Sequence, residues 1–327
     1  MFLFGGKWVG LELASTGLRV VKLQVSGKRF RLVGARFVPF ESVESSPSEA
    51  TSPRRAATLG ELFERARDLI VGSRAVLSLS KRDFLHRVVE FPLSDPNEIR
   101  ESMRWEFSRH FPLSYEEVYF DLHVTSLKGE SGNNLVSIVC ARRALVEFVL
   151  ELVPRGTKVV AVEPPFCSLI RFLEAAGVEM PSGFAILDVG NSLSGFYVCL
   201  EDAVLISRTF SWGGTQLASQ VASHEGQAEV GPEGLASSSL VSEVVNTIRF
   251  VEINFRGLKV DRLFLVGGGS ELPGLHDAFS SRLSELNCKV EIPSLKLDGA
   301  EGIKGLPHSP GSWCAPLGAA LRGVFPS

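Results

Sequence analysis

Apolar positions along the chain follow two rhythms, and the changes between them outline its elements. Lys7–Leu13, Leu18–Val25 and Arg29–Phe37 mix β-branched, aromatic and polar residues between short polar breaks, which predicts three strands around tight turns. Residues 41–57, rich in Ser, Pro and Glu, predict a loop. Leu62, Phe63, Ala66, Leu69 and Ile70 then recur at helical spacing behind Thr58 and Glu61, the two ends of a capping box. Residues 75–79 and 86–91 predict strands. Asp95, Pro96 and Glu98 mark a helix start, Ile99, Met103 and Phe107 line one of its faces, and Phe111-Pro112 ends it. From Val118 to Thr125 the period is two: Val118, Phe120, Leu122 and Val124 alternate with Tyr119, Asp121 and His123, as in a half-buried strand.

A βαβα run follows, with strands at 135–140 and 158–162, helices at 144–153 and 165–176, and Gly177 as C-cap. Strands are then predicted at 184–188, 195–200 and 204–210, helices at 215–223 and 240–255, and a strand at 262–266 that runs into Gly267, Gly268 and Gly269. A helix at 273–286, a strand near Val290 and a short helix at 315–322 complete the chain. One pattern occurs twice. VGLELASTGLRVVKL opens the chain and FAILDVGNSLSGFYVCL opens its second half, about 175 residues later; each is an apolar strand ending in an acid, a small-residue turn and an apolar return strand. A duplicated α/β domain with a cleft between its halves is the expected consequence.

Composition narrows the partners. Of 327 residues, 45% are hydrophobic and 22% charged, and the net charge is −3, so no overall basic excess points to nucleic acid. One basic cluster stands out: Arg19, Lys22, Lys28, Arg29, Arg31 and Arg36. It reads either as a solvated sheet edge or as a surface for anionic lipid or an acidic partner. The five cysteines form no CxxC and read as reduced core residues, and the six histidines show no metal-ligand spacing. The start MFLFGGKWVG lacks a signal-peptide pattern, although Phe2, Leu3 and Phe4 are apolar enough to touch a membrane. No apolar run approaches the roughly 20 residues of a span, so any membrane association is expected to be indirect.

Three elements carry candidate chemistry. In the second turn, Asp188 ends a strand ahead of Gly190, Asn191 and Ser192. An acid there can hold a hydrated divalent cation, and a glycine turn can bring N–H groups to a phosphate; an ordinary hairpin remains the alternative. In the first turn, Glu12 holds the acidic place, Ala14 matches Gly190, and Ser15 and Thr16 offer hydroxyls. Gly267, Gly268 and Gly269, between strand and helix, fit a nucleotide edge or a tight junction equally; they match neither a P-loop nor a dinucleotide fingerprint. Trp212-Gly213-Gly214 is a further tight turn ahead of a helix.

In this order the elements resemble the PilM family of the actin/FtsA-like superfamily, over nearly the whole chain. Segment 99–124, IRESMRWEFSRHFPLSYEEVYFDLHV, makes the resemblance specific; DRLFLVGGGSELPGL and FAILDVGNSLSGFYVCLEDAVLISRTFSWGG belong to the wider superfamily. The resemblance implies an actin-like (ribonuclease-H-like) duplicated α/β fold. Its first lobe would be 1–37 plus 156–182, a small inserted α/β subdomain 38–155, and its second lobe 183–327, with a shortened helical insertion at 215–258. It also implies ATP with Mg between the lobes, held by Ser15, Thr16, Arg19, Asp188, Gly190, Asn191, Ser192, Gly213, Gly214, Gly267, Gly268 and Gly269, with Glu12 and Asp188 as metal candidates. The implied partner is the cytoplasmic N-terminal peptide of a bitopic PilN-like membrane protein, with self-association also open. The implied place is cytoplasmic, peripheral to the inner membrane.

Departures from the family pattern weaken the ATP part. Glu12 stands for an Asp, Ala14 for a Gly and Arg19 for a Lys. Residues 224–238, broken by Gly and Pro, replace a helix that carries a lysine. The expectation is therefore an adaptor with a weakened or lost ATP site, at most a weak ATPase. The alternatives are a working Mg-ATPase that controls docking, a component of type II secretion like GspL, and a cell-division protein like FtsA.

Overall fold

The computed structural model describes residues 5–40, 53–222, 239–255, 259–295 and 309–325. These divide into two compact units. One comprises 1–83, 141–178 and 294–327; the other comprises 84–140 and 179–293.

In the first unit, β1 (Gly6–Ala14), β2 (Gly17–Ser26) and β3 (Arg29–Pro39) form an antiparallel meander. Beyond β1 the sheet continues with two parallel strands, β4 (Arg74–Ser78) and β8 (Lys158–Glu163), in the order β3-β2-β1-β4-β8. In the second unit, β9 (Gly183–Val189), β10 (Ser194–Leu200) and β11 (Ala203–Phe210) form another antiparallel meander. Parallel β12 (Arg262–Val266) and β13 (Lys289–Glu291) extend it, in the order β11-β10-β9-β12-β13. The two sheets have the same order and the same strand directions. The echo between the two opening segments is thus an echo of whole sheets.

Helices cover both faces of the first sheet. On one side lie α1 (Pro53–Arg65) and α2 (Arg67–Ile70); on the other lies the C-terminal helix (Cys314–Ala320), backed by α5 (Pro165–Ala176). That helix, CAPLGAA, is buried along its whole length, and small residues permit the approach. A Cβ on Gly10 of β1 would lie 1.9 Å from the Pro316 carbonyl, and one on Gly318 would lie 1.7 Å from the Ser168 carbonyl of α5. Charge is buried here as well. Arg171, 1% exposed, pairs with Glu163 and donates from Nε to the Gly318 carbonyl at 3.1 Å. Ser168 Oγ donates to Glu163 at 2.5 Å and Arg322 pairs with it at 3.1 Å. β8, α5 and the C-terminal turn are thereby tied through one carboxylate.

The helix read from Thr58 starts earlier, at Pro53, and breaks at Ala66. Proline suits a first helical turn, where its missing N–H costs nothing. Strand β4, inside the span 38–155, joins the first sheet because its apolar run pairs parallel with β1, from Trp8↔Arg74 to Glu12↔Ser78. A separate three-stranded sheet, β5-β7-β6, is built from β5 (Phe84–Phe91), β6 (Val118–Lys128) and β7 (Asn134–Arg142). α3 (Pro96–His110) covers it, packing Ile99, Met103 and Phe107 against Val118, Val136, Ile138 and Cys140. Asp95 caps α3, accepting from the Asn97 and Glu98 amides at 2.8 and 3.1 Å. α4 (Arg143–Leu152) follows β7 and belongs to the first unit.

The small sheet is fastened to the second one. Asp202, in the β10–β11 turn, accepts from the Ser126 amide and hydroxyl, both at 2.9 Å. His86 on β5 meets Ser137 Oγ at 2.9 Å, and that hydroxyl donates to the Val204 carbonyl of β11. Among the described residues no helix is long and apolar enough to cross a membrane.

Candidate functional site

In the second unit three segments far apart in sequence converge. The first is the loop 190–193, which joins β9 to β10 and starts beside Asp188, a buried residue near the end of β9. The second is Trp212-Gly213-Gly214, which enters α6 (Gly214–Ala222). The third is Gly267–Gly269, which leaves β12 toward α8 (Leu275–Leu283), itself preceded by α7 (Ser239–Asn254).

Their glycines face each other. A Cβ on Gly213 would come within 2.4 Å of the Asn191 carbonyl oxygen. One on Gly267, whose φ is +86°, would come within 2.4 Å of Asp188 Oδ1, and one on Gly269 within 2.5 Å of a Val189 methyl. Gly214 and Gly269 also touch: a Cβ on either would meet the other's Cα at 3.6 and 3.3 Å respectively. Bare backbone is required because three segments pass through the space of one side-chain layer.

Hydrogen bonds close the same knot. Amides of Gly214 and Thr215 donate to the Gly190 and Asn191 carbonyls at 2.8 and 3.0 Å, and Gly269 N donates to Val189 O at 2.8 Å. Thr215 Oγ1 donates to Asn191 Oδ1 at 3.0 Å, Ser194 Oγ to the Trp212 carbonyl at 2.6 Å, and Ser270 Oγ to the Gly267 carbonyl at 2.8 Å. Gln216 reaches back to Gly213 N at 3.0 Å, so it serves as the returning half of a capping box. The first amides of α6, which in an anion-binding helix face the ligand, are here engaged by protein carbonyls.

The first-unit turn differs in build. Ala14 pairs with Gly17 in the ladder, leaving a two-residue connection of Ser15 and Thr16, half the length of the 190–193 loop. Gly17, φ +148°, lets β3 lie close: a Cβ would strike the Val38 carbonyl oxygen at 2.2 Å. Glu12 stands directly across from Arg19 and pairs with it at 3.4 Å. The same guanidinium donates to Thr16 Oγ1 at 3.4 Å and lies over the Phe37 ring, 5.0 Å from its centroid. The one cation of the turn is thus occupied by the one acid, and both are largely buried: their side chains are 9% and 19% exposed.

Of the residues read from sequence, Asp188, Gly190, Asn191, Ser192, Gly213, Gly214, Gly267, Gly268 and Gly269 meet in the second unit, while Glu12, Ser15, Thr16 and Arg19 gather in the first. Residues 224–238 lie outside the described residues, as do Phe2, Leu3 and Phe4. Thr215 and Gln216 were missed, although Gln216 three places after Gly213 is a legible helix-start signal. Among the described residues no three His, Cys, Asp or Glu side chains form a metal cluster.

Duplicated five-stranded sheets, each opening on a hairpin turn, define an actin-like fold. A profile for the type IV pilus assembly protein PilM matches residues 10–229, and the chain belongs to that family. Of solved structures, a PilM–PilN type IV pilus biogenesis complex aligns with a TM-score of 0.69 and 25% identity, over 97% of this chain and 98% of that one. The cytoplasmic domain of EpsL, an inner-membrane component of the type II secretion system of Vibrio cholerae, aligns at TM-score 0.48 and 11% identity, covering 98% and 96%. Ta0583, an archaeal actin homolog in complex with ADP, aligns at 0.40 and 14%, covering 95% and 97%. No curated protein sequence matches.

Proposed function

We propose that this PilM-family chain is an adaptor at the cytoplasmic face of the inner membrane. It would hold the N-terminal cytoplasmic peptide of a PilN-like bitopic membrane protein, with the sheet at 84–140 as its inserted subdomain. The observation that carries the partner is the likeness, along 97% of the chain, to a protein solved in a PilM–PilN complex. A synthetic peptide of that N-terminus, titrated into the full chain, binds with micromolar affinity on this reading; no heat and no retention at about 100 μM overturns it.

The ATP site is weakened or lost. Three features support this. The acid of the first turn is matched by Arg19. The turn has only two residues between paired Ala14 and Gly17. The α6 amides of Gly214 and Thr215 are engaged by the opposing loop. Were Mg-ATP bound, Asn191 and Ser192 of the second unit would offer donors to its phosphates, and Asp188 would orient the hydrated ion. Buried Asp188 favours this second reading, a nucleotide-controlled form. Calorimetric titration with Mg-ATP separates the two: the adaptor reading expects a Kd weaker than about 10 μM, and tighter binding sinks it.

A further inference from the structure

The basic cluster near the start of the chain plays no part in the glycine knot, and strand register sorts it onto one surface. Residues directly paired across antiparallel strands share a face. Gln24 of β2 pairs with Lys7 on one side and Arg31 on the other; Ser26 pairs with Arg29; Lys22 pairs with Val9 and Gly34. Lys7, Lys22, Arg29 and Arg31 therefore share one face of the first sheet, and Lys28 lies in the adjoining β2–β3 turn. Arg36 shares this face too, but Asp68 of α2 takes its charge in an ion pair at 2.5 Å. None of Lys7, Lys22, Lys28, Arg29 and Arg31 forms an ion pair with an acid among the described residues. Lys7, Lys28, Arg29 and Arg31 are exposed, whereas Lys22 is 6% exposed. Burial holds the Lys22 pKa below the usual lysine value and the charge of Lys7 lowers it further, with Asp68 offsetting part. Among the described residues, the exposed end of the face thus carries like charge that no acid pairs.

We propose that the exposed end of this face, beyond the part that α2 covers, with Lys7, Lys28, Arg29 and Arg31, docks on the anionic headgroups of a phospholipid bilayer. The chain as a whole carries −3, so the positive charge is a local concentration. The row spans three adjacent strands, which places Lys7 and Arg31 about 10 Å apart. It ends on β3, the edge of the sheet, with exposed side chains; an open array of this kind fits a charged surface better than one enclosed anion.

The test is co-sedimentation of the full chain with vesicles of phosphatidylcholine alone or with about a third phosphatidylglycerol. Binding is expected only to the second kind, and it should fade at about 0.5 M salt, where screening is strong. A basic side chain near an anionic surface contributes about fivefold in partitioning, so Lys7→Gln with Arg31→Gln lowers it roughly 25-fold. The control pair Lys259→Gln and Arg282→Gln, exposed in the other unit, leaves it unchanged. Equal urea midpoints confirm that both pairs fold. The proposal is overturned if phosphatidylglycerol confers no preference or if both pairs lose binding equally. Binding of polyglutamate without binding of vesicles also overturns it, and would assign the face to an acidic protein.

Discussion

Replacing Gly267 by Ala tests whether the glycines of the site are set by the protein's own crowding. Two costs arise there. At φ +86° an L residue sits in the left-handed region, at about 1–2 kcal/mol. The new methyl would also lie 2.4 Å from Asp188 Oδ1, 2.6 Å from Val189 O and 2.8 Å from Val189 N. Two of these atoms are backbone held in the ladder, so relief needs a shift of β9, and overpacking of this kind costs about 1–3 kcal/mol. The sum is about 2–5 kcal/mol. Gly132→Ala isolates the first cost. Its φ is +77°, it lies in the same unit, and a Cβ there meets nothing within 4 Å. Urea unfolding of both variants beside the parent protein, at equal m-value, gives the difference directly. Equal losses for the two substitutions would refute the close packing of β9 against the β12 junction.

Other outcomes follow from the same geometry. Glu163→Ala leaves Arg171 buried without its main partner and should cost about 3–5 kcal/mol in chemical denaturation; adding Arg171→Met should recover a large part, and no recovery would mean that the cost lies elsewhere. Burial lowers the His86 pKa from 6.5 to about 4. The unfolded chain therefore binds the extra proton first, and stability falls as pH drops from about 6.5 toward 4. At pH 5 the loss is about 2 kcal/mol, from 1.5 units at 1.36 kcal/mol each; in His86→Gln it should vanish, and an unchanged pH slope would reject the assignment. Asp202→Ala removes the acceptor for both Ser126 groups and should cost about 1–3 kcal/mol, with hydrogen exchange rising first in β6; exchange unchanged there would show that Asp202 does not fasten the small sheet.

Much of this fold is legible in the sequence wherever the signal is local. Asp95 with Pro96, Gly177 at φ +65°, and the alternation from Val118 to Val124 all state their own conformation, because capping and period-two burial depend on near neighbours. The partner of a strand is another matter. Alternation tells which face is buried but not what covers it, so β4 looks as suited to the small subdomain as to the first sheet. The site divides the same way. Asp188, the turn glycines and the triple glycine are visible as types, but mutual contact between Gly213, Gly267 and the β9 loop arises only when three distant segments meet. Glu163 and Arg171 lie eight residues apart in an apolar stretch and give no sign in sequence that they form a buried pair.

The central claim, an adaptor that docks its peptide without nucleotide control, is tested most directly by one titration done twice. The PilN-like N-terminal peptide is titrated into the full chain without nucleotide and again with millimolar Mg-ATP. Coupling between two sites must appear as a change in peptide affinity. The account predicts the same Kd within about twofold; a shift of tenfold or more, about 1.4 kcal/mol, would contradict it and make the nucleotide a regulator.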